Sequence, residues 1–279
     1  MATGLCQQGL SETQRQRDYP KPYAAYVDGK TKLSRIGTNT SHIILLIGDS
    51  HAQQYWNTMG AIHKSMPGED SRKPSVFLIK SQTPSDVDLT PFTGMPVKAV
   101  IVSYFWSLRY GTGTVKPEQR WRGINQTDIQ GLPLAPVYDS AQQDQIDVSV
   151  SNLIKAARDL GSRVFLVLDT PFGAEIDPRA LVVRSWAGFG IRPPASVGKK
   201  VALARSEQIR SRLWRMAQDA EMQGAKVQII DPFDSLCDKQ DCPAFTAEEE
   251  PLYQDYDHLS LFAVLNKISY LTRSFDSDE

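Results

Sequence analysis

The chain lacks any apolar run near the ~20 residues needed to cross a bilayer. Its first residues, MATGLCQQGLSETQRQRDYPKPY, contain no apolar stretch of the kind a secretory signal requires. Such a start fits a cytosolic protein or a domain taken from a longer exported one, and its unusual polarity favours the second. Charge of one sign is also missing: 31 Lys plus Arg against 32 Asp plus Glu leave a net charge of -1. That removes the basic excess a nucleic-acid surface would need, so no nucleic-acid partner is expected. Metal-capable residues are few, with 3 cysteines and 4 histidines. None stands at zinc-ligand spacing and no oxygen ligands cluster as calcium requires, so neither a metal nor a cofactor is expected. Repeats, low-complexity tracts and blocks of like charge are absent. What remains is an ordinary globular composition, 41% hydrophobic and 23% charged over 279 residues, long enough to bury a large core.

Residues 1–40 are polar and rich in turn formers, and read as a linker or extension with at most one short element. The domain proper is expected over 41–279. Within it, HIILLIG (42–48), SVFLIK (75–80), KAVIVSYFW (98–106), RVFLVLD (163–169) and AKVQIID (225–231) are short, continuous apolar runs. Strands buried on both faces of a parallel sheet read this way. Helical patterns follow the first strand and cover about 141–160, 200–223 and 260–272, with Gly161 and Gly224 placed to end the middle two. Strands alternating with helices predict a three-layer α/β/α sandwich around a five-stranded parallel sheet, flavodoxin-like in architecture. In such sheets ligands bind at the carboxyl ends of the strands.

Two motifs fall at that edge. In LLIGDSHAQQYW, Gly48-Asp49-Ser50 lies between the first strand and the first helix. A serine there exposes its hydroxyl, and its N–H at a helix start can face a developing oxyanion. The same residues also suit a plain helix N-cap. In YQDYDHLSLFAV, Asp255 precedes His258 by three residues, just before the last helix. An aspartate so placed can accept Nδ1–H of its histidine and leave Nε2 free as a base. Asp257 is the rival for that role, but neighbouring residues usually point apart, which favours Asp255. A solvated acidic turn with Ser260 as a helix cap is the plainer alternative. Together the motifs describe a nucleophile after the first strand and an Asp–His pair late in the chain.

In LCDKQDC, Cys237 and Cys242 are close enough for a small disulfide loop, and free thiols or half a metal site remain alternatives. Cys6 has no evident partner. His51 reads as a supporting or capping group, and His42 and His63 as surface or strand-edge residues. Arg109, Trp121 and Arg122, in the long irregular stretch after the third strand, and Trp186 either contact a sugar or close the core. Asp169 reads as a turn residue.

GDS after the first strand and DxxH before the last helix resemble two signature blocks of the SGNH hydrolase superfamily. More narrowly, GDSHA (48–52), VSYFWS (102–107), FDSLCDKQDC and PLYQDYDHLS (251–260) resemble the periplasmic SGNH domain fused behind bacterial membrane acyltransferases of the acyltransferase-3 family. That resemblance implies Ser50 as nucleophile and first oxyanion donor, with His258 as base and Asp255 orienting it. It implies a disulfide between Cys237 and Cys242 beside the site. It further implies O-acetylation of a surface glycan such as lipopolysaccharide O-antigen, with an acyl donor and a glycan acceptor as partners. An integral-membrane acyltransferase domain in the same full-length chain would tether this one in the periplasm, and carbohydrate esterase activity is the alternative. Two superfamily features are missing. Lys80-Ser81-Gln82-Thr83-Pro84 has no glycine after the second strand, and Ser103-Tyr104-Phe105-Trp106 replaces Gly-x-Asn after the third. The second oxyanion donor is therefore sought around Ser81 and Thr83, with Trp106 as a pocket wall or an indole N–H donor.

Overall fold

The computed structural model describes residues 23–27, 31–111, 138–185, 188–191 and 195–276. Cys6, Trp121, Arg122 and Trp186 lie outside them.

The five apolar runs form five parallel strands: β3 (Ile43–Gly48), β4 (Ser75–Lys80), β5 (Val97–Ser103), β6 (Arg163–Val167) and β10 (Lys226–Ile230). Their spatial order is β4-β3-β5-β6-β10, so the second parallel strand lies outside the first and the others follow on its far side. This is the flavodoxin-like order, and it places the topological switch point between β3 and β5. Two strands come from the stretch expected to be a linker: β1 (Tyr23–Val27) and β2 (Thr31–Ile36). They extend the sheet to seven strands, with β2 antiparallel to both β1 and β4. Leu33, Ser34 and Arg35 of β2 are only half-buried. A strand near a sheet edge has no continuous apolar run to announce it.

Alternation along the central strands divides the core in two. Ile44 and Leu46 of β3 face one side with Ala52, Tyr55, Met59, Ala263 and Val264. Apart from the β3 residues, these lie in the short helix α1 (Ser50–Gln54), α2 (Trp56–Ser65) and α8 (Leu261–Asn266), with Tyr55 at the junction of α1 and α2. Ile43, Leu45 and Ile47 face the other side, against α4 (Ser140–Asp159) and α6 (Lys199–Met222). Each layer packs on one face of the sheet, which gives the α/β/α sandwich. The helix expected over 260–272 is broken instead: α8 stops at Asn266 and a 3₁₀ turn covers Tyr270–Phe275. Earlier in the chain come the short helices α3 (Trp106–Arg109), α5 (Pro178–Leu181) and α7 (Phe233–Leu236). The remaining strands are a hairpin of β7 (Val182–Ser185) with β8 (Gly188–Ile191), and β9 (Ser196–Gly198) paired with β11 (Asp241–Pro243). No described helix is long and apolar enough to cross a membrane.

At the switch point Gly48 sits opposite Ser103. Its φ is +147°, and a Cβ would lie 1.7 Å from the Ser103 carbonyl oxygen. Gly161, after α4, has φ +76° and open space around its missing Cβ. Gly48→Ala should therefore lower the unfolding free energy by about 3 kcal/mol or more. Gly161→Ala should cost about 1–2 kcal/mol from backbone handedness alone. Urea unfolding of the two variants checks the order.

Candidate active site

Ser50 opens α1 and is exposed at the sheet's carboxyl edge. Its N–H holds the helix position that has no intrahelical partner. Asp49 caps the turn, its Oδ1 accepting from His51 N–H at 2.9 Å. Its Oδ2 accepts from Phe105 N–H at 3.2 Å and from Arg109 Nε and Nη2 at 3.1 and 2.7 Å. Asp49 is buried, so this carboxylate ties the ends of β3 and β5 together from inside.

His258 comes from the segment 251–260, some 208 residues away, and its Nε2 lies 2.8 Å from Ser50 Oγ. Asp255 holds both carboxylate oxygens 3.1 Å from His258 Nδ1, and its Oδ1 also accepts the backbone N–H of Asp257 and His258. The segment is pinned from outside by Gln54 Oε1, which accepts Leu259 N–H at 2.8 Å, and by Gly173 N–H, which donates to Tyr256 O at 2.8 Å. Thr170 Oγ1 adds a third tie to Asp257 O at 3.1 Å. Ser260 caps α8, as its position suggested, accepting from Ala263 N–H at 3.0 Å.

The structure brings together Ser50, Asp255 and His258, and it adds a residue that sequence reasoning set aside. Asp257 Oδ1 lies 3.0 Å from His258 Nδ1, an ion-pair contact outside hydrogen-bonding angles. The rule that neighbours point apart fails here because the turn closed by Asp255 curls both carboxylates onto one ring. Burial would lower the basicity of His258, but Asp255 and Asp257 outweigh it and raise its pKa. Burial alone would raise Asp257, yet His258 and His51 hold it well below the usual carboxylate range.

His51 is buried and its Nε2 lies 3.4 Å from Asp257 Oδ2. Its ring stacks on Phe105 at 4.8 Å and 4°. His51, Asp257 and His258 bring metal-capable atoms within 4.8 Å of one another. In this cluster the Asp257 carboxylate faces both rings, and His258 Nε2 faces Ser50. Asp169, read as a turn residue, is buried and holds α3 by accepting from Trp106 N–H, Ser107 N–H and Ser107 Oγ. Burial pushes its carboxyl up to about 6 against those bonds.

Two of the oxyanion expectations, Trp106 and Ser81, need correction. Trp106 is fully buried and its indole N–H donates to Val167 O at 2.7 Å, so it neither walls the pocket nor offers a donor. Ser81 is buried, with its N–H donated to Gly48 O at 2.9 Å and its hydroxyl to Thr83 O. Thr83 Oγ1 pairs with Ser85 Oγ at 2.6 Å. Gln82, which the sequence did not single out, has Oε1 3.3 Å from Arg109 Nη2. Thr83 and Arg109 line a cavity of about 410 Å³ with Tyr138, Gln142 and Gln145. Arg109 is thus an ion-pair partner of Asp49, beside Ser50, that also reaches a cavity. His63 is buried, not at the surface. Cys237 and Cys242 form a disulfide. Two residues beyond Cys242, Ala244 O accepts Leu252 N–H at 2.8 Å, at the start of the segment that bears His258.

A serine at the switch point of a flavodoxin-like sheet, beside a histidine flanked by carboxylate, defines a serine-hydrolase-type α/β domain. Residues 17–266 match the family model described as the SGNH domain fused to AT3 domains, and the chain belongs to that family. Among solved structures, a GDSL-like lipase from Bacteroides thetaiotaomicron is similar at 10% identity, with 84% of each chain covered and a TM-score of 0.39. No curated protein matches the chain.

Arg109→Ala leaves the Asp49 carboxylate buried without its cation. It should destabilise the domain by about 3 kcal/mol, read as a lower urea midpoint at unchanged slope.

Proposed function

We propose that this domain is an O-acyltransferase that moves an acetyl group onto a bacterial surface polysaccharide through a Ser50 acyl-enzyme. The observation that supports it is the 2.8 Å contact of Ser50 Oγ with His258 Nε2, with Asp255 at the opposite ring nitrogen. His258 takes the hydroxyl proton as Ser50 attacks the acyl carbonyl. Asp255 fixes the tautomer and stabilises the imidazolium. The Ser50 N–H, at the helix start, is one donor to the oxyanion. The imidazolium then protonates the leaving group. In the second half-reaction His258 deprotonates an acceptor hydroxyl, which takes the acetyl group and frees Ser50.

The family's fusion to AT3 domains favours transfer. In this reading a membrane acyltransferase domain of the same full-length chain supplies the acetyl group, and the present domain works tethered in the periplasm. Residues preceding the sheet serve as the link. A carbohydrate O-acetyl esterase shares the first half-reaction and differs only in admitting water as acceptor. Incubating the protein with an acetyl donor and a surface polysaccharide separates the two. Acetylated glycan is the expected product, and free acetate alone with every acceptor would establish the esterase.

Ser50→Ala should cut turnover of an activated aryl acetate by ~10⁴-fold or more. Undiminished activity removes Ser50 from the mechanism. The base must be neutral to accept a proton, and its two carboxylates raise its pKa. The acid limb of kcat/KM should therefore lie above the ordinary histidine value of ~6.5, with activity rising as pH climbs through it.

A further inference from the structure

We infer that Asp257 is a second positioning carboxylate for His258, anchored by His51, so that the base is served by two carboxylates instead of one. The inference rests on the serine mechanism above and adds a residue to it. The geometry is over-determined. The backbone of residues 256–257 is fixed at three atoms: Asp257 N–H donates to Asp255 Oδ1 at 3.1 Å, Asp257 O accepts from Thr170 Oγ1 at 3.1 Å, and Tyr256 O accepts from Gly173 N–H at 2.8 Å. That leaves the side chain little choice of direction. One oxygen lies 3.0 Å from His258 Nδ1 and the other 3.4 Å from His51 Nε2.

Asp257 is 4% exposed and His51 2%. A charge so far from water needs compensation, and its only ion-pair partners among the described residues are these two imidazoles. The pair therefore cannot be detached from the reacting group. When Ser50 passes its proton to Nε2, the imidazolium that forms lies against two carboxylates. Asp255 is already engaged by two backbone N–H groups, which weaken its pull on the ring, whereas Asp257 Oδ1 has no hydrogen-bond donor of its own. The ionisable groups bearing on Asp257 are His258 from its own segment and His51 from α1, and His51 also bears on Asp169 beyond β6.

A lone orienting aspartate predicts one outcome and a shared role another. Where a single carboxylate serves the histidine, Asp→Asn costs ~10⁴-fold in kcat. With two, Asp255→Asn and Asp257→Asn should each cost about 10–100-fold, and only the double variant should approach ~10⁴. The probe is a fluorophosphonate, whose rate of labelling at Ser50 is followed from pH 5 to 10 alongside turnover of an aryl acetate. Removing either charge should move the acid limb of labelling downwards, which a merely structural loss would not do. Thermal melts establish that the variants are folded. Labelling of the wild type at Ser50 with no shift of the limb in folded Asp257→Asn overturns this inference alone. So does a full ~10⁴-fold loss in Asp255→Asn by itself, a result that needs no Asp257 variant. No labelling of the wild type at Ser50 overturns the serine mechanism and this inference with it.

Discussion

The arrangement depends on the buried carboxylate of Asp49. It accepts from the backbone of α1, from the backbone after β5 and twice from Arg109. A single anion thereby fixes the turn that presents Ser50, the start of the chain after β5 and an arginine that lines a cavity. Such a group costs several kcal/mol to desolvate, and its partners must be complete for it to be tolerated. The position of Ser50 is thus set from beneath, by the residue that precedes it.

The sheet supplies the other constraint. The sheet carries α1, α2 and α8 on one face and α4 and α6 on the other, and the flavodoxin-like order opens a crevice between β3 and β5. Gly48 makes the crossing narrow, because its missing Cβ lets the Ser103 carbonyl approach. Ser50 emerges there, and the segment 251–260 closes over it through contacts with α1 and with Thr170 and Gly173 beyond β6. Site geometry follows from fold geometry, with each member one or two residues past the end of an element or inside one pinned turn.

Much of this was legible in the sequence. The five parallel strands were visible because burial on both faces demands continuous apolar runs, and the sandwich class followed. Ser50 and His258 could be found because each sits where a parallel sheet puts its ligand edge. The rest needed three dimensions. The pairing of Asp49 with Arg109 joins residues 60 apart, with nothing in either sequence neighbourhood to suggest the other. The convergence of Asp257 on His258 comes from a turn whose curvature is set by backbone hydrogen bonds. Trp106 looked like a pocket residue because it ends an apolar strand at the right edge, but its ring turns into the core. Strands β1 and β2 were missed because they lie at the sheet's edge, and β2, half-buried over Leu33, Ser34 and Arg35, carries a weaker pattern than the central strands.

Three side chains of the five-residue helix α1 reach the segment 255–259: Ser50 to His258, His51 to Asp257, and Gln54 to Leu259. Each contact joins residues between 205 and 208 positions apart. Pairings of such separation cannot form early, since closing so long a loop must await most of the chain. A polypeptide elongated only as far as β10 can lay down all five parallel strands and still have no partner for its serine hydroxyl. Under the proposed serine mechanism, Ser50 meets its base only when this closing segment arrives, late in synthesis.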